Sequence, residues 1–359
     1  RNDNVTKPSA LELPPNFPTM NSEDLSSQID AMHIQECGVY ACRDYLGLEQ
    51  VNSADSAFRK RVHRRVHLRN DASIGPSISA PIDDECRFKM SKWCYQVVDH
   101  CGFDRECVSI AMSYLDRFLA TDAGEEAFLS RKTFQLVVMT SLYTAIKMMS
   151  KESMSPSFVT AVSGGSFTER DITNTEVIIL SALEWRVQPP TALSFIRHFL
   201  YLVPQDDASL TVINFIFEIA RLQVELAATN YSLITTKPST IAVASILNTM
   251  DIMDEECLPG DLRHVLISIL EKHGAVNIWG EEMWDLKNKL MTDIANNSSH
   301  QVQGIAARMI STTMKSKRAN ENLGMSPKSV DDEFHSVFEN YVSSISGALQ
   351  TEGGFTEYS

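Results

Sequence analysis

The stretch from Leu129 to Met149, LSRKTFQLVVMTSLYTAIKMM, constrains the fold more than any other part of the chain. Its apolar residues would cover almost every face of a helix, and the stretch is of helix rather than strand length, without proline or glycine. Polar residues from Ser130 to Lys132 crowd its start and Lys147 lies near its end, so it is too polar to span a bilayer. A helix that is apolar all round must be surrounded by other helices. The sequence therefore predicts the central helix of an all-helical domain.

Length, charge and cysteine content limit the classes of protein to which the chain can belong. A chain of 359 residues is expected to hold about two domains plus tails. The net charge of −14 argues against a nucleic-acid-binding surface over the whole molecule. The seven cysteines include no CxxC pair, which favours reduced thiols in the cytosol or nucleus. Without a signal peptide or a long apolar run, we expect a soluble intracellular protein with no membrane partner.

Helical periodicity continues on both sides of the central stretch. Residues 84–187 have the pattern of five helices, of which the third is apolar on all sides. Pro189 and Pro190 then interrupt helical structure, and five further helices follow up to residue 296, again with an apolar third helix near Ile241 to Leu247. We therefore predict an all-α protein with one domain at 84–187 and a second at 188–296.

The segments outside these two domains are polar or rich in proline. Residues 1–83 are predicted to be an N-terminal leader with a candidate helix from Asp24 to Leu46, and a linker is expected from Asn70 to Pro81. Residues 297–359 are predicted to be a polar, disordered tail.

The leader also holds the one concentrated basic patch of the chain, from Arg59 to Arg69. Such clusters act as nuclear-import signals or as sites for acidic partners, and the alternative is the solvated face of a helix that flanks the domain. We expect the protein in the nucleus and also in the cytoplasm, with Arg61, Arg64 and Arg65 as candidate import residues.

The chain carries no recognisable catalytic motif. A P-loop, a dinucleotide fingerprint, GxSxG and HExxH are all absent from the sequence. His63 and His67 have the spacing of a metal-binding pair, but the arginines around them favour a solvated basic helix. We therefore expect no catalytic residue, no metal and no cofactor. Large apolar helical faces without reactive groups are typical of a protein-interaction module rather than an enzyme.

Four charged residues fall inside otherwise apolar helical segments. Asp116 lies midway along the apolar face of its helix, and a carboxylate buried there must be paired. Arg87 is the natural partner, and the neighbouring Arg117 is the alternative. Lys147 lies near the end of the central stretch, where the helix dipole and capping carbonyls favour a cation. Glu176 lies in the last helix of the first domain, and from the residues alone a structural or solvated role is favoured for both charges.

Five segments, in register, resemble the cyclin box. They are Arg87-Phe88-Lys89-Met90-Ser91-Lys92-Trp93, Ser113-Tyr114-Leu115-Asp116-Arg117-Phe118-Leu119, Ala145-Ile146-Lys147, Thr175-Glu176-Val177-Ile178-Ile179-Leu180 and Leu183-Glu184-Trp185. In order and spacing they are similar to a complete N-terminal cyclin box at 84–187, most like D-type and mitotic cyclins. Residues 188–296 would then be the second box.

This resemblance implies a non-enzymatic activator of a cyclin-dependent protein kinase that controls cell-cycle progression. In cyclins a lysine and a glutamate grip the regulatory helix of the kinase, and Lys147 and Glu176 fall on those positions. The same comparison implies apolar kinase contacts at Met148, Leu180 and Val187, for which core packing is the alternative. Arg87 and Asp116 fall on the internal salt bridge of the family.

The resemblance also implies a groove that docks RxL-containing substrates or inhibitors. The residues that match this groove are Met90, Trp93, Gln96, Phe134 and Gln135. Cys86 and Lys89 depart from the usual apolar residues of the groove, which affects the recruitment of substrates.

Two other functions compete with kinase activation. A cyclin-fold transcription adaptor would need a basic nucleic-acid-binding face on the boxes, which an acidic chain does not favour. A scaffold that binds no kinase is the other alternative.

Overall fold

The computed structural model describes residues 21–47, 56–70, 81–150, 154–204 and 207–297, and these ranges contain helices, turns and loops but no strand. Residues 1–20 of the predicted leader, most of the predicted linker and the predicted tail from residue 298 onward lie outside the described residues. No helix in the described ranges combines the length and apolarity needed to cross a membrane. The all-α prediction is confirmed.

Thirteen α-helices and two short 3₁₀ helices, Asp122–Gly124 and Tyr231–Leu233, make up the described fold. The α-helices are α1 (Ser22–Cys37), α2 (Ser56–Asn70), α3 (Asp84–Cys101), α4 (Glu106–Leu119), α5 (Glu125–Leu129), α6 (Arg131–Met149), α7 (Pro156–Val162), α8 (Glu169–Ala182), α9 (Ala192–Tyr201), α10 (Asp207–Thr229), α11 (Pro238–Asp251), α12 (Gly260–His273) and α13 (Glu281–Asn297).

The first compact unit comprises residues 28–195 together with 227–239. Helix α6 is its centre and packs against α3, α4, α5, α7 and α8, with every side chain from Val137 to Ile146 buried. This confirms the central helix expected from the sequence. The helix begins at Arg131 because Ser130 caps it, and the Ser130 hydroxyl accepts a hydrogen bond from the Thr133 amide at 3.2 Å.

The turn between α4 and α5 depends on a glycine. A Cβ atom added at Gly124 would lie 2.4 Å from the Phe118 carbonyl oxygen, so only glycine lets this turn pass so close to the end of α4. The short 3₁₀ helix and α5 therefore fold back onto α4 before α6 begins.

Helix α1 ends well before the predicted limit at Leu46. It stops at Cys37, and Tyr45 and Leu46 then enter the core of the first unit as loop residues. Glu36 holds the end of α1 in place, because its buried carboxylate accepts hydrogen bonds from the Ser239 amide at 2.9 Å and from the Ser239 hydroxyl at 2.6 Å.

The basic patch forms helix α2, which packs onto the first unit instead of presenting only a solvated face. Arg65 is 1% exposed, its Nη1 donates to the Leu119 carbonyl at 2.6 Å, and its guanidinium lies 5.0 Å from the Phe128 ring centroid. Burial lowers the pKa of Arg65 to about 10, and the neighbouring Arg61 and Arg64 add to this effect. Arg61 pairs with Asp122 and Arg64 with Glu125. The solvated-face alternative is therefore wrong for Arg65, because this side chain fills a packed site.

The imidazole rings of His63 and His67 pack edge to face, with centroids 4.8 Å apart. Within the described ranges, no group of three or more His, Cys, Asp or Glu residues could hold a metal ion.

The second compact unit includes residues 196–226 and the described residues from 240 onward. Helix α11 is buried from Ile241 to Met250, in agreement with the apolar third helix predicted there. Its polar groups are paired: Gln223 Nε2 donates to the Ser245 carbonyl at 3.1 Å, and Asn248 Nδ2 donates to Gln223 Oε1 at 3.0 Å. Satisfied hydrogen bonds of this kind allow amides to lie in a core without a large cost.

Candidate functional site

The structure brings Lys147 and Glu176 together on the surface of the first unit. The Nζ atom of Lys147 lies 3.1 Å from Oε1 and 3.2 Å from Oε2 of Glu176. The Lys147 side chain is 47% exposed and that of Glu176 is 11% exposed. The carboxylate is therefore set into the surface, whereas the ammonium group stays accessible from solvent.

Residues on α6 hold both charges in position. The Thr144 hydroxyl lies 3.3 Å from Oε1 of Glu176, and Lys147 Nζ lies 5.5 Å from the Tyr143 ring centroid, within the range of a cation–π contact. Because the ammonium group already has a partner and a ring beside it, its side chain retains less rotamer freedom than a free surface lysine.

The local sequence fixes where Glu176 lies along its helix. Helix α8 begins with a capping box, in which the Thr168 hydroxyl accepts from the Asp171 amide and the Asp171 side chain accepts from the Thr168 amide. The Thr168 hydroxyl also donates to Oδ2 of Asp171 at 2.8 Å. The hydrogen bonds that the Asp171 carboxylate accepts, from the Thr168 amide first and then from the Thr168 hydroxyl, lower the pKa of Asp171 below its usual range. Ile172, Thr175 and Ile179 are buried, which places Glu176 at the margin of the packed face.

Exposed apolar residues lie next to Lys147 and Glu176 along α6 and α8. Met148 and Met149 at the end of α6 and Val177 and Ile178 on α8 are exposed, whereas Leu180 and Val187 are half-buried. Four exposed large apolar side chains next to two charged groups are the composition of a protein-binding surface rather than of a catalytic pocket.

Trp185, which sequence reasoning did not single out as a site residue, is 65% exposed just after α8. It follows Glu184 in the left-handed region, with φ of 60° and 52° respectively, a conformation that costs about 1 kcal/mol or more for each non-glycine residue. Two side chains of α4 hold this turn: Arg117 Nη2 donates to the Arg186 carbonyl at 2.9 Å, and the Tyr114 hydroxyl donates to the Val187 carbonyl. The indole is thus presented by a fixed turn.

Burial shifts the pKa values of both side chains that hold the turn. It lowers the pKa of Arg117 and raises that of the Tyr114 hydroxyl above its usual value, since each charged form would lose hydration. The tyrosine therefore stays neutral and able to donate its hydrogen bond.

Arg87 and Asp116 meet inside the first unit. Arg87 Nε lies 2.9 Å from Oδ1 and Nη2 lies 2.8 Å from Oδ2 of Asp116, while Nη1 donates to the Thr229 carbonyl at 3.1 Å. Burial by itself would lower the pKa of Arg87, but the facing carboxylate outweighs it and raises the pKa above its ordinary value. Arg117, the alternative partner, instead binds the backbone after α8.

The residues predicted to form a substrate-docking groove differ in exposure. Met90 and Trp93 are half-buried, and Gln96 and Gln135 are exposed. Phe134 is buried in the core cluster of the first unit, so its ring is not a surface for a peptide. Lys89 pairs with Glu85 at 2.8 Å in full solvent, and this contact raises the pKa of Lys89. The groove stays a prediction.

Comparison with known proteins identifies the family. The family model described as "Cyclin, N-terminal domain" matches residues 57–188, and "Cyclin, C-terminal domain" matches residues 190–339. The first match begins within α2, which the sequence analysis had assigned to the leader.

Curated cyclins and a solved viral cyclin are similar to parts of the chain. The chain is 26% identical to rat G1/S-specific cyclin-D1 over 192 residues, covering 52% of this chain and 62% of that protein. It is 28% identical to human cyclin-O over 208 residues, covering 58% of this chain and 57% of the relative. A viral cyclin from herpesvirus saimiri superimposes with a TM-score of 0.48 at 18% identity, covering 67% of this chain and 96% of the viral protein. The chain thus spans about 62% of the length of rat cyclin-D1.

The chain therefore contains two tandem cyclin domains and belongs to the cyclin family.

Proposed function

We propose that this chain is a regulatory subunit that binds and activates a cyclin-dependent serine/threonine protein kinase and thereby controls cell-cycle progression. The observation that carries the proposal is the Lys147–Glu176 pair, preformed beside exposed apolar residues of α6 and α8. The similarity to G1/S-specific cyclin-D1 supports a role in the cell cycle.

The chemistry of the pair suits a partner helix and the loop beside it. A helix end and a loop leave backbone carbonyl and N–H groups without intramolecular partners. Lys147 can donate to such carbonyls and Glu176 can accept from such N–H groups. Both charged hydrogen bonds strengthen as the apolar surface excludes water. Met148, Leu180 and Val187 would supply apolar contact around them.

Activation follows from differential binding. A kinase whose regulatory helix exchanges between two positions shifts toward the position that this surface binds more tightly. In protein kinases the active position completes the lysine–glutamate ion pair that orients ATP. Coupling of this kind is about 1–3 kcal/mol, which corresponds to a population shift of about 5- to 150-fold.

The test is a pull-down with the tagged chain, followed by a kinase assay on the recovered complex with a Ser-Pro peptide. Lys147→Ala with Glu176→Ala should abolish kinase recovery and leave the melting temperature nearly unchanged, because the pair is partly exposed. The matched control is Lys132→Ala with Glu169→Ala, which removes the same charges from the first turns of the same two helices.

Equal kinase recovery with the wild-type chain and the Lys147/Glu176 double variant would contradict the proposal. A large loss of thermal stability in that variant would assign the pair a structural role instead.

A further inference from the structure

The corner between α12 and α13 in the second unit displays two tryptophans. Trp279 is 72% exposed and Trp284 is 62% exposed, and they lie five positions apart around the start of α13. Large aromatic side chains this exposed are uncommon on a surface that only faces water, and they mark sites of interaction.

The Trp279 indole is held in one orientation. Its Nε1 donates to Oε1 of Glu271 on α12 at 2.9 Å, and its backbone amide donates to Oδ1 of Asn277 at 3.1 Å. The preceding Ile278 is buried and anchors the loop. An aromatic ring that is fixed before binding loses little conformational entropy on binding, so its contact energy is largely retained.

Carboxylates lie close to both tryptophans along the chain, and Glu271 contacts Trp279 directly. Glu281, Glu282 and Asp285 are exposed in the first turns of α13, and Trp284 lies on the same helical face as Glu281 because the two are three positions apart. Glu271 extends the acidic rim onto α12. Of the neighbouring cations, Lys272 is exposed, Lys287 is paired with Asp251 and Lys289 is half-buried. The rim therefore has an excess of negative charge.

We propose that this acidic and aromatic corner, formed by Trp279, Trp284, Glu271, Glu281, Glu282 and Asp285, binds a Lys/Arg-rich peptide segment of a partner protein. Guanidinium or ammonium groups would lie over the indole faces while the carboxylates supply ion pairs. This surface belongs to the second unit, so the inference does not depend on the kinase-binding role proposed for the first unit.

The test is calorimetric titration of the full chain with an arginine-rich octapeptide, with a glutamate-rich octapeptide as the charge control. Trp279→Ala with Trp284→Ala should weaken binding of the basic peptide by about tenfold, the loss expected for two cation–π contacts. Trp279→Phe with Trp284→Phe should recover most of the affinity. Trp185→Ala, which removes an exposed tryptophan from the first unit, should leave the affinity unchanged.

Two results would overturn the proposal. Unaltered binding by the Trp279/Trp284 alanine variant would mean that the overall charge of −14, and not this corner, attracts the peptide. If replacing Lys315, Lys317 and Arg318 with glutamine raised the peptide affinity of the wild-type chain but not that of the Trp279/Trp284 alanine variant, the chain's own basic segment would be the occupant instead of a partner. Circular dichroism of each variant checks that the second unit stays folded.

Discussion

Replacing Arg87 with methionine isolates the energetic role of the buried ion pair between α3 and α4. Methionine keeps much of the apolar bulk but removes the two hydrogen bonds to Asp116, at 2.9 and 2.8 Å, and the one to the Thr229 carbonyl at 3.1 Å. The Asp116 carboxylate then stays buried with the Tyr45 hydroxyl, at 3.0 Å, as its remaining hydrogen-bond donor.

The expected loss of stability is large for a single substitution. Breaking a buried ion pair from one side costs about 3–5 kcal/mol, because the remaining charge has neither water nor a counter-ion. The free energy of unfolding of a typical domain is only about 5–15 kcal/mol, so the first unit would become marginal. Arg87→Met with Asp116→Leu removes both charges, and we expect this pair of changes to cost about 1–2 kcal/mol, less than Arg87→Met alone.

Urea unfolding, monitored by circular dichroism, measures the free energy of unfolding of both variants. The decisive quantity is the difference in free energy of unfolding between the single and double variants. Both variants carry the same packing change at residue 87, so its effect cancels in that difference. A cost below about 1 kcal/mol for Arg87→Met, or a double variant less stable than the single one, would refute the reasoning from burial.

Two further predictions concern a helix cap and the basic helix. Thr168→Ala removes the hydroxyl that the Asp171 amide reaches at 3.2 Å, so the free energy of unfolding should fall by about 1 kcal/mol, as urea titration would show. Because the folded pKa of Asp171 is lowered, its stabilising contribution is present above its unfolded pKa of about 3.9 and is lost as pH falls through the folded pKa. NMR titration of Thr168→Ala should show that pKa moving part of the way back up, and an unchanged pKa would contradict the assigned cause. We also propose that α2 directs nuclear import. The variant Lys60→Ala with Arg64→Ala should then move a fluorescent fusion of the chain from the nucleus to the cytoplasm. Its free energy of unfolding should stay nearly unchanged, because both side chains are exposed. Arg65→Ala should instead lower the free energy of unfolding by about 2 kcal/mol, because this side chain is buried against Phe128. Unaltered localisation of the Lys60/Arg64 variant would reject the import signal.

Helix α8 has more apolar residues than one buried face can hold, and the sequence analysis did not use this pattern. Val177, Ile178, Ile179 and Leu180 are consecutive, and one helix cannot turn all four toward a single core face. The structure buries Ile179 and leaves Val177 and Ile178 exposed. Such a surplus predicts a second apolar face, and hence a partner, although periodicity cannot say which residues lie on it.

The sequence by itself determined the helical class, the central position of α6 and the family, because hydrophobic periodicity and residue spacing are local properties of the chain. It also predicted a cationic partner for Asp116 and favoured Arg87, with Arg117 as the alternative.

Only the tertiary structure decided between them, pairing Asp116 with Arg87 and directing Arg117 to the turn that presents Trp185. It also buried Arg65 and fixed Trp279 against Glu271. These outcomes depend on contacts between residues far apart in the chain, or on a turn conformation that no local pattern specifies. Burial and pairing are properties of the assembled fold, and for that reason they could not be read from α2, α4 or α12 separately.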